Sequence, residues 1–372
     1  MKRILHLLSI LAVLPILAGG CARHEEMTGK APLLNVYLHI PKQVLTRADV
    51  GAVSAESEAE NRISRLQLWV FLSEPCAGYP AGHLLGYLEP SPTLLESGAS
   101  VRYAFPLEKA VADALPAVDV YALGNAPAVP LLDALSDPAA LDALVLEGER
   151  FGIRGSLPVQ TTVPVEGLPF SGVGKHLRMK GTYPVLTLDA IRLTRAVSKL
   201  RFVFSQLSDE AGQPVEEVAV TSIRLDGDRI PAREYLFNDS DLPWKVASGS
   251  YVSSGLELPV PETLALNPDP AGYAYTGQTA QLYENMIAFG LDEGRLTSGP
   301  FCYLRETDRK LSGQIGYTVG GLPGTASFEM VHEGDFARNH SWIVYLYFFR
   351  DAIRFTVSWT QWEEGNGFYL TD

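Results

Sequence analysis

Cysteine is scarce in this chain of 372 residues, with three in all, at positions 21, 76 and 302. Cys76 and Cys302 have no histidine near them at ligand spacing, so they do not make a zinc site. An exported protein would permit a disulfide between them, but they fall in different halves of the chain and their pairing stays open. Catalytic signatures are missing as well: the chain has no HExxH and no GxSxG. The closest approach to a phosphate loop, Gly172-Val173-Gly174-Lys175-His176, lacks the hydroxyl residue after the lysine and the required spacing, and reads as a turn. The seven histidines are scattered. Glu363 and Glu364 are neighbours, and neighbours on a strand point to opposite faces rather than converging on one bond. No basic cluster marks a nucleic-acid surface. There are 30 basic against 43 acidic side chains, a net charge of −13, which repels nucleic acid and anionic lipid. Heptads and short repeats are absent. The reading is of a protein that is not an enzyme, with no catalytic residue, metal ligand or cofactor nominated.

What is present begins at the N-terminus. Lys2 and Arg3 precede an apolar run from Ile4 to Leu17, interrupted by His6, Ser9 and Pro15, and then comes Leu17-Ala18-Gly19-Gly20-Cys21. A basic start, a short apolar core and small residues at the cut describe an export signal over residues 1–20. The run is short of the ~20 residues that a membrane span needs. Its end resembles the lipobox of bacterial lipoproteins, with Leu17 one place further upstream than usual, and this implies acylation of Cys21. The alternative is ordinary cleavage near Gly20, leaving Cys21 as a free thiol. Both place the mature chain outside the cytoplasm. Removing residues 1–20 takes away Lys2, Arg3 and no acid, so 28 basic against 43 acidic side chains leave −15.

The remaining ~350 residues suggest two domains. With 33 glycines and 25 prolines among many Tyr, Phe, Val and Thr, the chain reads as β-rich with frequent turns. In Asn35-Val36-Tyr37-Leu38-His39-Ile40 the residues Val36, Leu38 and Ile40 share one face, the mark of a half-buried strand. Residues 46–61 are small and acidic and read as an exposed, mobile loop. A strand is predicted within 63–72, a short helix over 107–115 stopped by Pro116, a strand over 118–123, and helical turns around Pro138. Residues 169–175 read as a glycine-rich loop, and strands flank a junction near 190. The second half is nearly all strand and turn, ending in a strand over 341–349 and an alternating one through Ile353, Phe355, Val357 and Trp359. The expected architecture is two β-sandwich domains with small helices mainly in the first.

Several segments carry a family likeness. Val120-Tyr121-Ala122-Leu123-Gly124-Asn125, Leu168-Pro169-Phe170-Ser171-Gly172 and Leu193-Thr194-Arg195-Ala196-Val197-Ser198-Lys199-Leu200 occur in order. Tyr303-Leu304-Arg305-Glu306 and Ala337-Arg338-Asn339-His340 follow. In this order the segments resemble landmarks of the Bacteroidetes FimA-like (type V) fimbrial subunits across nearly the whole exported chain. The resemblance implies a mainly β lipoprotein precursor with two transthyretin-like β-sandwich domains. It divides the chain into signal peptide (1–20), lipidated leader with first strand (21–47), N-terminal domain (48–190) and C-terminal domain (191–372). It implies an outer-membrane precursor, lipid-anchored at Cys21, that assembles with other subunits into cell-surface fimbriae by strand exchange and serves adhesion. The receptor, a host protein or glycan, is left open, as is the choice among stalk, tip and anchor.

Family members of the stalk and tip kinds are cut after an arginine by a trypsin-like protease. Thr46-Arg47-Ala48 fits that site, against the plainer reading of Arg47 as a surface arginine; Arg62 and Arg65 fit less well. The cut would remove the strand carrying Val36, Leu38 and Ile40, leaving backbone groups and an apolar groove as a template for another strand. A donor must be extended and apolar at every second position. Ile353, Phe355, Val357 and Trp359 meet that requirement, although residues 341–359 could equally complete the chain's own sheet as a hairpin. A competing function is a lipid-anchored surface protein that binds glycans through Tyr273, Tyr275 and Trp362.

Overall fold

A computed structural model describes residues 31–40, 59–90, 98, 100–125, 137–143, 145–147, 163, 167–206, 216–237, 251–252, 254–260, 264–266, 297–330, 336–348, 353–361 and 369–371. The strands of the first half are β1 (Leu33–His39), β2 (Leu66–Leu72), β3 (Leu84–Leu88), β4 (Ser100–Pro106), β5 (Ala117–Gly124), β6 (Val145–Glu147), β7 (Phe170–Arg178), β8 (Lys180–Thr182), β9 (Val185–Thr187), β10 (Ile191–Arg192) and β11 (Thr194–Arg195). Those of the second are β12 (Ser198–Gln206), β13 (Val218–Leu225), β14 (Arg233–Tyr235), β15 (Leu256–Leu258), β16 (Leu264–Ala265), β17 (Thr297–Leu304), β18 (Ser312–Val319), β19 (Leu322–Glu329), β20 (His340–Phe348), β21 (Ile353–Gln361) and β22 (Tyr369–Thr371). The helices α1 (Lys109–Ala114) and α2 (Pro138–Asp142) are both short. The chain is thus mainly β, as its alternating patterns require.

The helices stop and start for local reasons. Leu115 takes a left-handed φ of 49° at the end of α1, and Pro116 follows, which cannot continue a helix. In α2 the Asp137 side chain accepts a hydrogen bond from the Ala139 amide, and Pro138 stands in the first turn, where its missing N–H costs nothing.

Two sheets enclose the first core. One has the order β10-β1-β9-β8, with β4 also on β1; the other runs β11-β7-β5-β2-β3. Both feed one apolar cluster, Leu34, Val36 and Leu38 from β1 against Leu68, Val70 and Val120 from β2 and β5. The second core lies between β17-β12-β20-β21-β22 and a sheet ordered β15-β13-β18-β19, with β16 also on β13. Leu200 and Phe202 of β12 and Val344 of β20 meet Val220, Ile223 and Ile315 from the facing sheet. Paired sheets with a shared apolar filling are the β-sandwich arrangement expected. The first cluster runs to Val197 and takes in Leu236, Phe237 and Tyr303, and the second includes Leu200.

Two expectations are corrected. Residues 170–178 form strand β7 rather than a loop or turn, hydrogen-bonded to β5. Gly172 is there because β7 passes close beneath β10: a Cβ at Gly172 would stand 2.6 Å from the Arg192 carbonyl oxygen. The acidic stretch 46–61 is not exposed throughout, since residues 59–61 are helical and Glu60 is fully buried.

Cys76 and Cys302 are both free thiols. Cys76 is half-buried beside a tight turn with Tyr79, whereas Cys302 is fully buried in the second core, and burial pushes its pKa up. Because the thiolate is the reactive form, iodoacetamide should alkylate Cys76 in the folded chain about tenfold or more faster than Cys302. Peptide mapping after a brief pulse reads this; equal labelling without denaturant would contradict it.

Candidate assembly site

Strand β1 occupies an interior position in its sheet. One edge is taken by β4, antiparallel, from Leu33 opposite Pro106 to His39 opposite Ser100. The other edge is shared end to end by two parallel neighbours, β9 at Leu33–Asn35 and β10 at Leu38–His39. Leu34, Val36, Leu38 and Ile40 are each 0% exposed. Burying each such side chain contributes roughly 1.5–3 kcal/mol, and the ladders on both edges add to that. The strand predicted to leave during maturation therefore fills a slot between existing strands rather than decorating an edge.

The segments that carry the family likeness come together in space. Asn125, at the end of the first, has a left-handed φ of 54°. Its Nδ2 donates to the carbonyls of Leu168 (2.8 Å), in the second segment, and Arg62 (2.6 Å). Its Oδ1 accepts from the amides of Ser64 (2.8 Å) and Arg65 (3.4 Å). Gly167 must be glycine beside it: at φ 91° a Cβ would lie 2.5 Å from Asn125 Nδ2 and 2.6 Å from the Arg62 oxygen. The third segment then meets the last two. The Arg195 guanidinium packs over the Phe170 ring and donates to Asn339 Oδ1 at 3.2 Å and to Asn61 Oδ1. The Asn339 amide donates to the Val197 carbonyl, and Ser198 Oγ donates to the Ala337 carbonyl. Arg338 pairs with Glu306 at 2.5 Å.

At the centre of this junction lies a buried ion pair. Lys199 Nζ stands 2.7 Å from Glu60 Oε1, the two side chains being 3% and 0% exposed. The Tyr303 hydroxyl donates to the same oxygen at 2.5 Å, and the ammonium sits over the Phe301 ring. Burial pulls the pKa of Arg195 down to about 10, opposed by the charges of Glu60 and Tyr303, so it stays a cation at neutral pH. Glu60 and Asn61 are thus tied to residues more than a hundred positions downstream.

At the C-terminus β21 is paired on both edges, with β20 from His340 opposite Gln361 to Phe348 opposite Ile353, and with β22. Ile353 is half-buried against the second core. The backbones of Phe355, Val357 and Trp359 lie in β21. The structure places Val36 and Leu38 in β1, with Ile40 just past its end, and Ile353, Phe355, Val357 and Trp359 together in β21, and the two strands belong to different sheets. Cys21, Arg47, Ala48, Tyr273, Tyr275 and Trp362 lie outside the described residues. Among the described residues there is no cluster of acidic, histidine or cysteine side chains able to hold a metal, and no helix long and apolar enough to cross a membrane. Sequence reasoning missed Glu60 and Asn61 and gave Lys199 and Tyr303 no role beyond their place in two segments; the signal that could have joined them is a lysine beside the apolar run of β12, which needs a buried counter-charge.

No protein-family model matches the sequence, and no curated protein matches it. Solved structures do. A "putative cell adhesion protein" from Parabacteroides distasonis superimposes with a TM-score of 0.53 at 15% identity, over 90% of this chain and 98% of that one. The tip fimbrial protein of Porphyromonas gingivalis, with a C-terminal truncation, gives a TM-score of 0.49 at 14% identity, over 90% of this chain and 100% of that one. At such identities the first likeness shows the fold, over nearly the whole length of both chains.

Proposed function

We propose that this chain is a structural and adhesive fimbrial subunit, exported as a lipoprotein precursor with two transthyretin-like domains and assembled by donor-strand exchange. The observation that carries the reading is the setting of β1, an apolar strand paired along both edges, followed eight residues after its end by Arg47 in Thr46-Arg47-Ala48. Cleavage there detaches the acylated leader together with β1. The vacated slot offers unpaired N–H and C=O groups on both flanks and four apolar pockets. A strand apolar at alternate positions, such as β21 of another subunit through Ile353, Phe355, Val357 and Trp359, meets those requirements. The same fold in a protein described as an adhesion protein supports the role, as does the order of the five segments.

The test is N-terminal sequencing of the protein recovered from the cell surface, together with the Arg47→Ala variant. The expected result is a start at Ala48 in polymer, and for the variant a lipid-anchored monomer with polymer reduced about a hundredfold or more, because strand exchange needs the slot open. Normal polymer from Arg47→Ala would sink the cleavage model. An acylated Cys21 on all surface protein would instead fit an anchored lipoprotein.

A further inference from the structure

Three arginines lie in the sequence between β1 and β2: Arg47, Arg62 and Arg65. The Arg62 side chain is exposed, and that of Arg65, 36% exposed, is held only by a surface ion pair with Glu89 at 2.6 Å, a weak restraint, so side-chain recognition alone would not spare either. We propose that Asn125 is a positioning residue that closes the Arg62–Ile63 and Arg65–Leu66 bonds to trypsin-like proteases and so confines maturation to the chain before Ala59. The inference rests on the processing reading above and adds a determinant of where the cut falls.

Such a protease hydrolyses the amide after arginine: water supplies the new carboxylate oxygen and the proton of the new amine. The scissile carbonyl must enter an oxyanion hole, and the flanking backbone must be free to extend in the cleft. Both carbonyls are already engaged by one residue. The Arg62 oxygen accepts from Asn125 Nδ2 at 2.6 Å, and the Arg65 oxygen accepts from the Asn125 amide at 3.0 Å. Between them, the amides of Ser64 and Arg65 donate to Asn125 Oδ1. Ile63, the residue after the first bond, is fully buried, and a Cβ at Gly124 would stand 3.2 Å from its Cγ2. The fit of Gly167 against Asn125 Nδ2 and the Arg62 carbonyl holds the amide in place from the far side. The bonds can be cut only from a locally opened state, whose population limits the rate.

The consequence of a misplaced cut is also on view. A start at Ile63 or Leu66 discards Glu60 and Asn61, and with them the carboxylate that meets Lys199 and the amide that meets Arg195.

The test is limited digestion of the full-length chain with trypsin, with the new N-termini identified by mass spectrometry. Asn125→Gly is the variant of choice, since glycine keeps the left-handed backbone and the backbone N–H and removes only the side-chain amide. The wild type should give no early product starting at Ile63 or Leu66, while in urea both bonds are cut. In Asn125→Gly, cleavage at Arg62–Ile63 should rise about tenfold or more, in line with losing several buried hydrogen bonds, and cleavage at Arg65–Leu66 should rise less, because its carbonyl keeps the backbone N–H of residue 125. Early wild-type products at Ile63 or Leu66 under native conditions would overturn the proposal, as would a folded Asn125→Gly that resists at Arg62–Ile63. If that variant fails to fold, Asn125→Asp, which keeps Oδ1 and loses the donor to the Arg62 carbonyl, takes its place with the same expected outcome. A product starting at Ala48 reports on Arg47 separately, so failure of the processing site and failure of the shield are read from different ends.

Discussion

Replacing Glu60 with alanine is expected to destabilise the folded chain by about 3–5 kcal/mol, the cost typical of removing one partner from a buried ion pair. The carboxylate it deletes is the one 2.7 Å from the Lys199 ammonium and bound by the Tyr303 hydroxyl, in surroundings that admit almost no water. Urea unfolding followed by tryptophan fluorescence measures the loss. The paired control is Glu60→Leu with Lys199→Met, which removes both charges together. A buried ion pair replaced by apolar residues of similar volume is often neutral or stabilising, so the double variant should recover most of the loss. A single Glu60→Ala variant within about 1 kcal/mol of wild type would show that the pair is solvated, contrary to its burial.

The second large effect falls on β1. Val36→Asp in the uncut chain should cost about 4 kcal/mol or more, because a carboxylate without a partner would be placed in the first core. Val36 is 0% exposed and stands opposite Tyr103 in the ladder with β4. His39→Gln is the control on the opposite face, where the ring is half-exposed and contacts Ser100 at the surface; it should stay within about 0.5 kcal/mol. The effect of Val36→Asp should be confined to the uncut chain. A subunit that has lost its leader no longer contains residue 36, so polymer formed from any molecules that escape the defect should melt as wild type does. Equal destabilisation of polymer would mean that β1 is retained, and would refute leader removal directly.

Much of the fold was legible in the sequence, for one physical reason. Strands with one wet face alternate, and β1 was visible in that way, as was the alternating sequence of β21; β5 and β20, buried on nearly every residue, were visible as apolar runs, and α1 by the proline that follows it. Strand β7 was hidden because Gly172 and Gly174 suggest a turn. For Gly172 the real cause lies elsewhere in the chain, in the Arg192 carbonyl that leaves no room for a Cβ. The junction was hidden for the same kind of reason. Glu60 sits at the end of a small, acidic stretch that looks like a solvated loop, and its partners Lys199 and Tyr303 are 139 and 243 positions away. No local pattern encodes such a pairing. The five short segments were recognisable by their order but gave no hint that Asn125, Phe170, Arg195 and Asn339 belong to one assembly of contacts.

The neighbours of β1 also bear on direction. With β4 antiparallel on one flank and β9 and β10 parallel on the other, a replacement strand finds one antiparallel and one parallel flank whichever way it runs. Backbone hydrogen bonding is therefore nearly indifferent to the polarity of the incoming strand, apart from the slightly weaker parallel pairing per residue. Polarity must be selected by side chains, through the spacing and depth of the pockets now held by Leu34, Val36, Leu38 and Ile40. A filament built on this slot would owe its head-to-tail sense to the shapes of four cavities rather than to the ladder that holds it together.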